Sequence, residues 1–402
     1  MKFFFETLLL ISTRFGFFEA AENTLVAVNL IFRHGDRCPE KSNLYESSIY
    51  YNESYFRPYG FGQLTNEGKL RVYNLGKEIR EIYTGFLDES YNIDLIEATS
   101  SDFNRTKASL QLFLAGLFPP TKELIWLEGF NWQPIAYTYQ ERNLDEELFG
   151  FGCENWDWHL NEYLNTQEGS KIMKKYEDLL KYLTENTGET YDEILKAYYL
   201  YFGFEILEEL GYDLPQWSNV IYPNELKNLV MDYYDMITAT SNLRRMTGGY
   251  LLKHVLDNIQ NKIDEKIPTK KMFVWSAHEN NIVAILKIMK LWNGNQTIDY
   301  CSYVALELHK INNEYTIKIF FKNDATGPKI LVIPGCDALC PLTYFTKIVQ
   351  PDIPRSLSVC RGERSTYLTY KIFTIDLDIK LPSKNIPSHF LNIQYGQNKI
   401  FY

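Results

Sequence analysis

Arg33-His34-Gly35-Asp36-Arg37 places a histidine between two permanent cations, with a glycine beside it. Guanidinium forks match the geometry of phosphate oxygens and stay charged at any working pH. An imidazole held there can act as a nucleophile toward phosphorus, and Gly35 lets an anion approach the backbone. The same residues would also make an ordinary strand-end turn with solvated arginines. Two further segments carry matching chemistry. Arg105 lies in Ser101-Asp102-Phe103-Asn104-Arg105-Thr106, and His278-Glu279 lies in Ser276-Ala277-His278-Glu279-Asn280-Asn281.

Each group has the same local setting. Residues 24–32 are nearly all apolar and β-prone, so His34 follows a buried central strand. Residues 93–98 form a second short strand. The helix after it carries Leu110, Phe113, Leu114 and Leu117 on one face and stops at Pro119-Pro120. Residues 272–275 form a third strand, followed by a helix with Ile282, Ile285, Leu286 and Met289 on one face. Arg105 and His278-Glu279 therefore sit at strand-to-helix junctions, where free helix N–H groups favour anions. If the three strands are neighbours in one sheet, their carboxyl ends converge on a single crevice.

Several segments together resemble the histidine acid phosphatases of the prostatic and lysosomal type. Residues 30–39 are similar to the signature around the family's nucleophile. Gly62-Gln63-Leu64-Thr65-Asn66-Glu67-Gly68 resembles its GQLT-x-x-G segment, and 101–106 with Ser109 its second arginine motif. Arg245-Met246-Thr247-Gly248-Gly249 is similar to its R-x-x-GG helix, and residues 334–342 to its late cysteine loop. The matches run in family order from about residue 25 to 345. The resemblance implies His34 as nucleophile, with Arg33, Arg37, Arg105 and His278 binding phosphate and the residue after His278 donating a proton. It also implies an α/β fold, a mixed central sheet flanked by helices, with no metal or other cofactor. The chain departs from the pattern at Glu279, where the family usually has Asp, and at Cys38, where a smaller residue is usual. Phosphoglycerate mutases share the RHG core but normally follow it with Glu or Gln, and they lack the cysteine loop.

Length and composition fit this expectation. A chain of 402 residues exceeds one ordinary core. Residues 22–130 and 250–402 read as the α/β core, and 131–249, helical and aromatic-rich, as an inserted cap walling the crevice. Its Trp156, Trp158 and Trp217 are candidates for that wall, although core packing is the commoner use of tryptophan. Val304, Leu306 and Leu308 alternate with polar or small residues, and 315–322 should pair with them as a hairpin turning at Asn312-Asn313. The net charge of −10 and the lack of a basic stripe argue against a nucleic-acid partner. The six histidines show no H-x3-H or H-E-x-x-H spacing, so no metal ligand set is expected.

Residues 1–21 read as a secretory signal, with a buried N-terminal helix as the other possibility. No later stretch reaches the ~20 apolar residues of a membrane span. A secreted or lumenal protein is expected, and six cysteines agree with an oxidising compartment. Sequence alone leaves 15 pairings open. The resemblance implies Cys336–Cys340 and Cys153–Cys360, and leaves Cys38 and Cys301 without an obvious partner. Asn52 and Asn295 begin acceptable glycosylation sequons. Asn104 begins a third, read as unused because a glycan there would obstruct the crevice. The expected function is metal-free hydrolysis of small-molecule or protein phosphate monoesters, in a chain that the resemblance makes a candidate homodimer. One rival is a phospholigand-binding protein or antigen without turnover, for which a carboxylate at 279 would be unnecessary. Another is a phytase-like inositol-phosphate hydrolase, disfavoured by cap acids such as Asp145, Glu146, Glu177, Asp178, Glu208 and Glu209.

Overall fold

The structure, a computed structural model, describes residues 24–361 except 295, 324 and 357. The proposed signal 1–21, the sequon residue Asn295 and His389 lie outside them. An eight-stranded mixed sheet runs through the centre in the order β3-β2-β4-β1-β5-β6-β7, with β8 also against β6. Strands β1 (Leu25–Arg33), β2 (Ile96–Ser100), β3 (Thr138–Tyr139) and β4 (Met272–Ala277) are parallel. Strands β5 (Tyr303–Ile311), β6 (Glu314–Lys322), β7 (Lys329–Leu331) and β8 (Cys340–Pro341) extend it with antiparallel pairings. The β5–β6 hairpin turns through Asn312 and Asn313, both left-handed at φ 50° and 67°. Asparagine tolerates that conformation, and a two-residue turn of this hand suits the twist of the paired strands.

Alternation along β1 divides the core. Val28, Leu30 and Phe32 pack on one face with helices Asn66–Ile82 and Asn104–Leu117, while Ala27 and Ile31 pack on the other. On that second face lie helices Tyr250–Ile263 and Glu279–Ile288, together with the helical region. Every buried strand residue serves one face or the other, which is why the strand reads as a continuous apolar run. The chain between β3 and β4 is helical: Trp156–Leu164, Gln167–Lys175, Glu177–Thr187, Ile194–Glu209 and Asn224–Met236 come first. Thr138–Tyr139, inside the range assigned to the cap, instead pairs with β2 as an edge strand. A disulfide joins Cys153 to Cys360, and another joins Cys336 to Cys340. Cys38 and Cys301 are free and buried.

The parallel order β2-β4-β1 sets up the chemistry. Register pairs Ser100 with Ser276, and Phe32 with the same Ser276, so all three strands end at one level. Residues just past those ends must meet at one edge of the sheet.

Candidate active site

His34, Arg105 and His278 do meet there. They line a crevice of about 420 Å³ with Arg37, Glu40 and Glu279. Atoms of His34, His278 and Glu279 that could serve as ligands lie within 4.8 Å of one another. The crevice walls come from Phe103, Phe149, Phe151, Tyr199 and Phe202, with Lys41 and Arg142 also facing it. The candidate tryptophans do not line it. Trp156 is buried against Phe151, Trp217 packs on Tyr45, Tyr182 and Phe204, and Trp158 is exposed. A second cavity, about 380 Å³ beside Arg71, Cys301 and Asn323, has no histidine in its lining.

The loop after β1 is held by tight packing. A Cβ on Gly35 would lie 2.6 Å from the Gly68 carbonyl oxygen, and one on Gly68 would lie 2.1 Å from the Asp36 carbonyl oxygen. Neither position accepts a side chain, which accounts for glycine at both. Thr65 caps the helix that carries Gly68, its Oγ1 accepting from Gly68 N at 3.0 Å. Ser109 Oγ accepts from Gly35 N at 3.1 Å, so the second arginine motif buttresses the first. Asp36 turns away from the crevice to pair with Arg71 at 3.0 Å.

His34 is 1% exposed. Its Nδ1 lies 2.9 Å from the Gly35 carbonyl oxygen, which can only accept, so Nδ1 carries the ring proton. Nε2 then presents a lone pair, and Arg105 Nε donates to it at 3.1 Å. Burial, followed by the charges of Arg105, His278, Arg33 and Arg37, holds the imidazole pKa well below its ordinary value. The imidazole therefore stays neutral in acid.

The arginines are fixed individually. Arg33 is 2% exposed, donates to the Ile298 carbonyl oxygen, lies 4.0 Å from the centre of the Tyr300 ring and pairs with Glu279 at 3.4 Å. Arg37 Nη1 donates to the Cys38 carbonyl oxygen and to Asn43 Oδ1, both at 3.0 Å. Arg105 Nη1 donates to Glu40 Oε1 at 2.8 Å. Burial and the neighbouring Arg37 lower the Arg105 pKa to about 10, which still leaves it charged in acid.

His278 caps the helix Glu279–Ile288, whose N-terminus faces the crevice. Its Nε2 is 2.8 Å from Ser101 Oγ, and Ser101 donates onward to Thr106 Oγ1 at 2.9 Å. In that chain Nε2 is the donor to Ser101. Burial and Arg105 lower the His278 pKa to about 3. Burial alone would raise Glu279. Arg33, His278 and the Tyr198 hydroxyl outweigh it and hold the carboxyl at about 2. Tyr198 donates to Glu279 Oε1 at 2.7 Å from the helix Ile194–Glu209.

Two imidazoles and a carboxylate are donors a metal would accept. The guanidinium groups of Arg33 and Arg105 contact two of those three groups directly, and their charge opposes a dication there.

The remaining histidines and motifs are elsewhere. His254 bonds Glu147, His309 bonds Thr24 and Glu307, and His159 lies beside Asn242. The R-x-x-GG segment forms a π turn, Arg245–Gly249, ahead of the helix Tyr250–Ile263. Gly248 lets that turn approach Ala284 on the helix behind His278, so its work is packing. Asn52 is exposed and its Oδ1 accepts from Ser54 N at 3.0 Å. Residues the sequence did not single out are Glu40, Tyr198 and Arg142. Each meets the site through a partner far away in the chain, so no local spacing marks it.

The family profile of the histidine phosphatase superfamily (branch 2) matches residues 24–322. The venom acid phosphatase of Apis mellifera is 36% identical over 82% of this chain and 86% of its own. The human lysosomal acid phosphatase is 31% identical over 82% of this chain and 78% of its own. Among solved structures, Hafnia alvei phytase in complex with myo-inositol hexakis sulphate superposes with a TM-score of 0.62 at 17% identity, over 84% of this chain and 98% of that one. At that identity the likeness concerns the fold. The chain belongs to the histidine phosphatase superfamily, and as a member it is a phosphoric monoester hydrolase.

Proposed function

We propose that this is an exported acid phosphatase that cleaves phosphate monoesters through a phosphohistidine on His34, without a metal. The observation that carries the reading is the unprotonated Nε2 of His34 beside Arg105, in one crevice with Arg37, His278 and Glu279. Nε2 attacks phosphorus, forming the N–P bond as the ester P–O bond breaks. Arg105 shifts its Nε–H from Nε2 to a phosphoryl oxygen, and Arg33 and Arg37 neutralise the developing charge. His278 adds its Nε2–H to the phosphoryl group in place of Ser101. Glu279 protonates the departing oxygen, then takes a proton from the water that cleaves the N–P bond and releases phosphate.

At about 2 in the free site, Glu279 is ionised at pH 5 and must acquire its proton. A bound phosphoryl group offsets Arg33 and raises the carboxyl pKa. The monoester, with a second pKa of about 6, arrives as the monoanion and carries the proton. An acidic optimum follows. The aromatic walls and the rim cations Lys41 and Arg142 would receive the leaving group, so substrate choice falls to the region 131–249 together with Lys41 and Phe103 of the core.

Export is supported by the residues 1–21 and by two disulfides. No helix among the described residues is long and apolar enough to cross a membrane. A homodimer is supported by the exposed apolar residues Trp126, Leu127, Phe130 and Trp132, which precede the edge strand β3 in the chain.

Rapid acid quench with radiolabelled phosphate ester should trap label on His34. His34→Ala should trap none and turn over at background, and EDTA should leave the natural protein unaffected. Label on a serine or cysteine would reject the mechanism.

A further inference from the structure

Glu40 turns back into the phosphate crevice. Its Oε1 accepts from Arg105 Nη1 at 2.8 Å, and the same guanidinium donates through Nε to the His34 lone pair. The Glu40 backbone is itself anchored. Its N–H donates to Asn43 Oδ1 at 2.9 Å, and that oxygen also accepts from Arg37 Nη1. Asn43, 2% exposed, donates through Nδ2 to the Tyr199 carbonyl oxygen at 3.0 Å. One network therefore runs from Arg37 through Asn43 and Glu40 to Arg105, and ties both forks to the helical region. Gly62, at φ +68°, leaves room for the arrangement, since a Cβ there would lie 2.9 Å from Glu40 Cγ.

The network puts a second negative charge into a site built for anions. Arg33 is matched by Glu279 and Arg105 by Glu40. An arriving phosphoryl group must share Arg105 with a carboxylate already bound to it. We propose that Glu40 is a positioning residue that holds Arg105 against His34 and, as a resident anion, weakens the grip on free phosphate so that product leaves. This rests on the phosphatase reading above. Burial would raise the Glu40 pKa, but Arg105 and Arg37 lower it below the ordinary value, so the charge persists in acid.

Substitutions separate the two effects. Glu40→Gln keeps an oxygen acceptor for Arg105 and removes the charge. Glu40→Ala removes both. The Glu40 side chain is 36% exposed, so solvent screens much of the repulsion between it and phosphate. The expected gain is about tenfold, equivalent to ~1.4 kcal/mol. Calorimetric titration with inorganic phosphate at pH 5 should show Glu40→Gln binding about tenfold tighter than the natural protein, and the inhibition constant of phosphate against p-nitrophenyl phosphate should fall in parallel. Glu40→Ala should lose about tenfold or more in kcat/KM, while Glu40→Gln keeps most of it. Unchanged phosphate affinity in Glu40→Gln overturns the charge role, and equal kcat/KM in the two variants overturns the positioning role. A natural protein that binds phosphate yet hydrolyses no monoester would instead sink the phosphatase reading.

Discussion

Replacing Glu279 by glutamine tests the chemistry where the structure makes competing claims on one side chain. The carboxylate is the proposed proton donor, the counter-ion of Arg33 and the acceptor for Tyr198. As counter-ion it matters for stability. Arg33 is almost fully buried, and removing one partner of such a pair typically costs ~3–5 kcal/mol. That loss should appear in the urea midpoint and carries no information about leaving groups. As proton donor, Glu279 matters in proportion to how badly the departing oxygen needs a proton. A nitrophenolate leaves readily without one, whereas an alkoxide does not. Glu279→Gln should therefore lower kcat/KM for glycerol phosphate by ~10²–10⁴-fold, the usual range of general acid catalysis, and lower it far less for p-nitrophenyl phosphate. Both substrates should be assayed at pH 5 on protein shown to be folded. Equal losses on the two would mean that Glu279 serves Arg33 and its helix alone, leaving the proton donor unassigned.

Tyr198→Phe removes a hydrogen bond to the ionised carboxylate worth ~1.5–3 kcal/mol, so the Glu279 pKa should rise. The pH above which glycerol phosphate turnover falls should then move upward by about one to two pH units, and an unmoved profile would show that the hydroxyl does not act on the carboxylate. The neutral histidines of the crevice should make the protein acid-sensitive. His278 is lowered to about 3, so below pH 6.5 the unfolded chain takes up a proton that the folded chain refuses; stability present above pH 6.5 is lost as the pH falls toward 3, by ~2 kcal/mol at pH 5. Urea titrations at pH 7.5 and 5 should show His278→Asn losing less stability than the natural protein over that interval, and an identical loss would refute the assignment.

What the sequence disclosed depended on whether a residue's role is local. His34, Arg105 and His278-Glu279 each follow a β-prone run and precede a helix, so their common edge could be inferred before any strand order was known. The order β2-β4-β1 then brings them together. The β5–β6 hairpin was readable because strand alternation and Asn312-Asn313 lie within one short stretch. Glu40 meets Arg105 across 65 positions, and Tyr198 meets Glu279 across 81. Nothing near either residue in sequence marks it. The helical region shows the same limit, because aromatic periodicity identifies helices without saying which ring faces the crevice. Trp156 and Trp217 went into packing, while Phe149, Phe151, Tyr199 and Phe202 took the wall.

Glu279 links these observations. Arg33 and Tyr198 both stabilise its ionised form, so the free site holds a carboxylate where the reaction needs an acid. A donor with so low a pKa is useful only if binding changes it. In the proposed mechanism a bound phosphoryl group supplies that change by neutralising the guanidinium that held the proton off. Proton transfer is thereby coupled to occupancy, and the empty site keeps its buried cations paired. The Glu279 side chain ends at the Tyr198 hydroxyl, so the carboxylate is held by the core through Arg33 and by the helix Ile194–Glu209 through Tyr198. The same helix reaches Arg105 as well, through the Tyr199 carbonyl, Asn43 and Glu40, so its movement would be felt on both sides of His34.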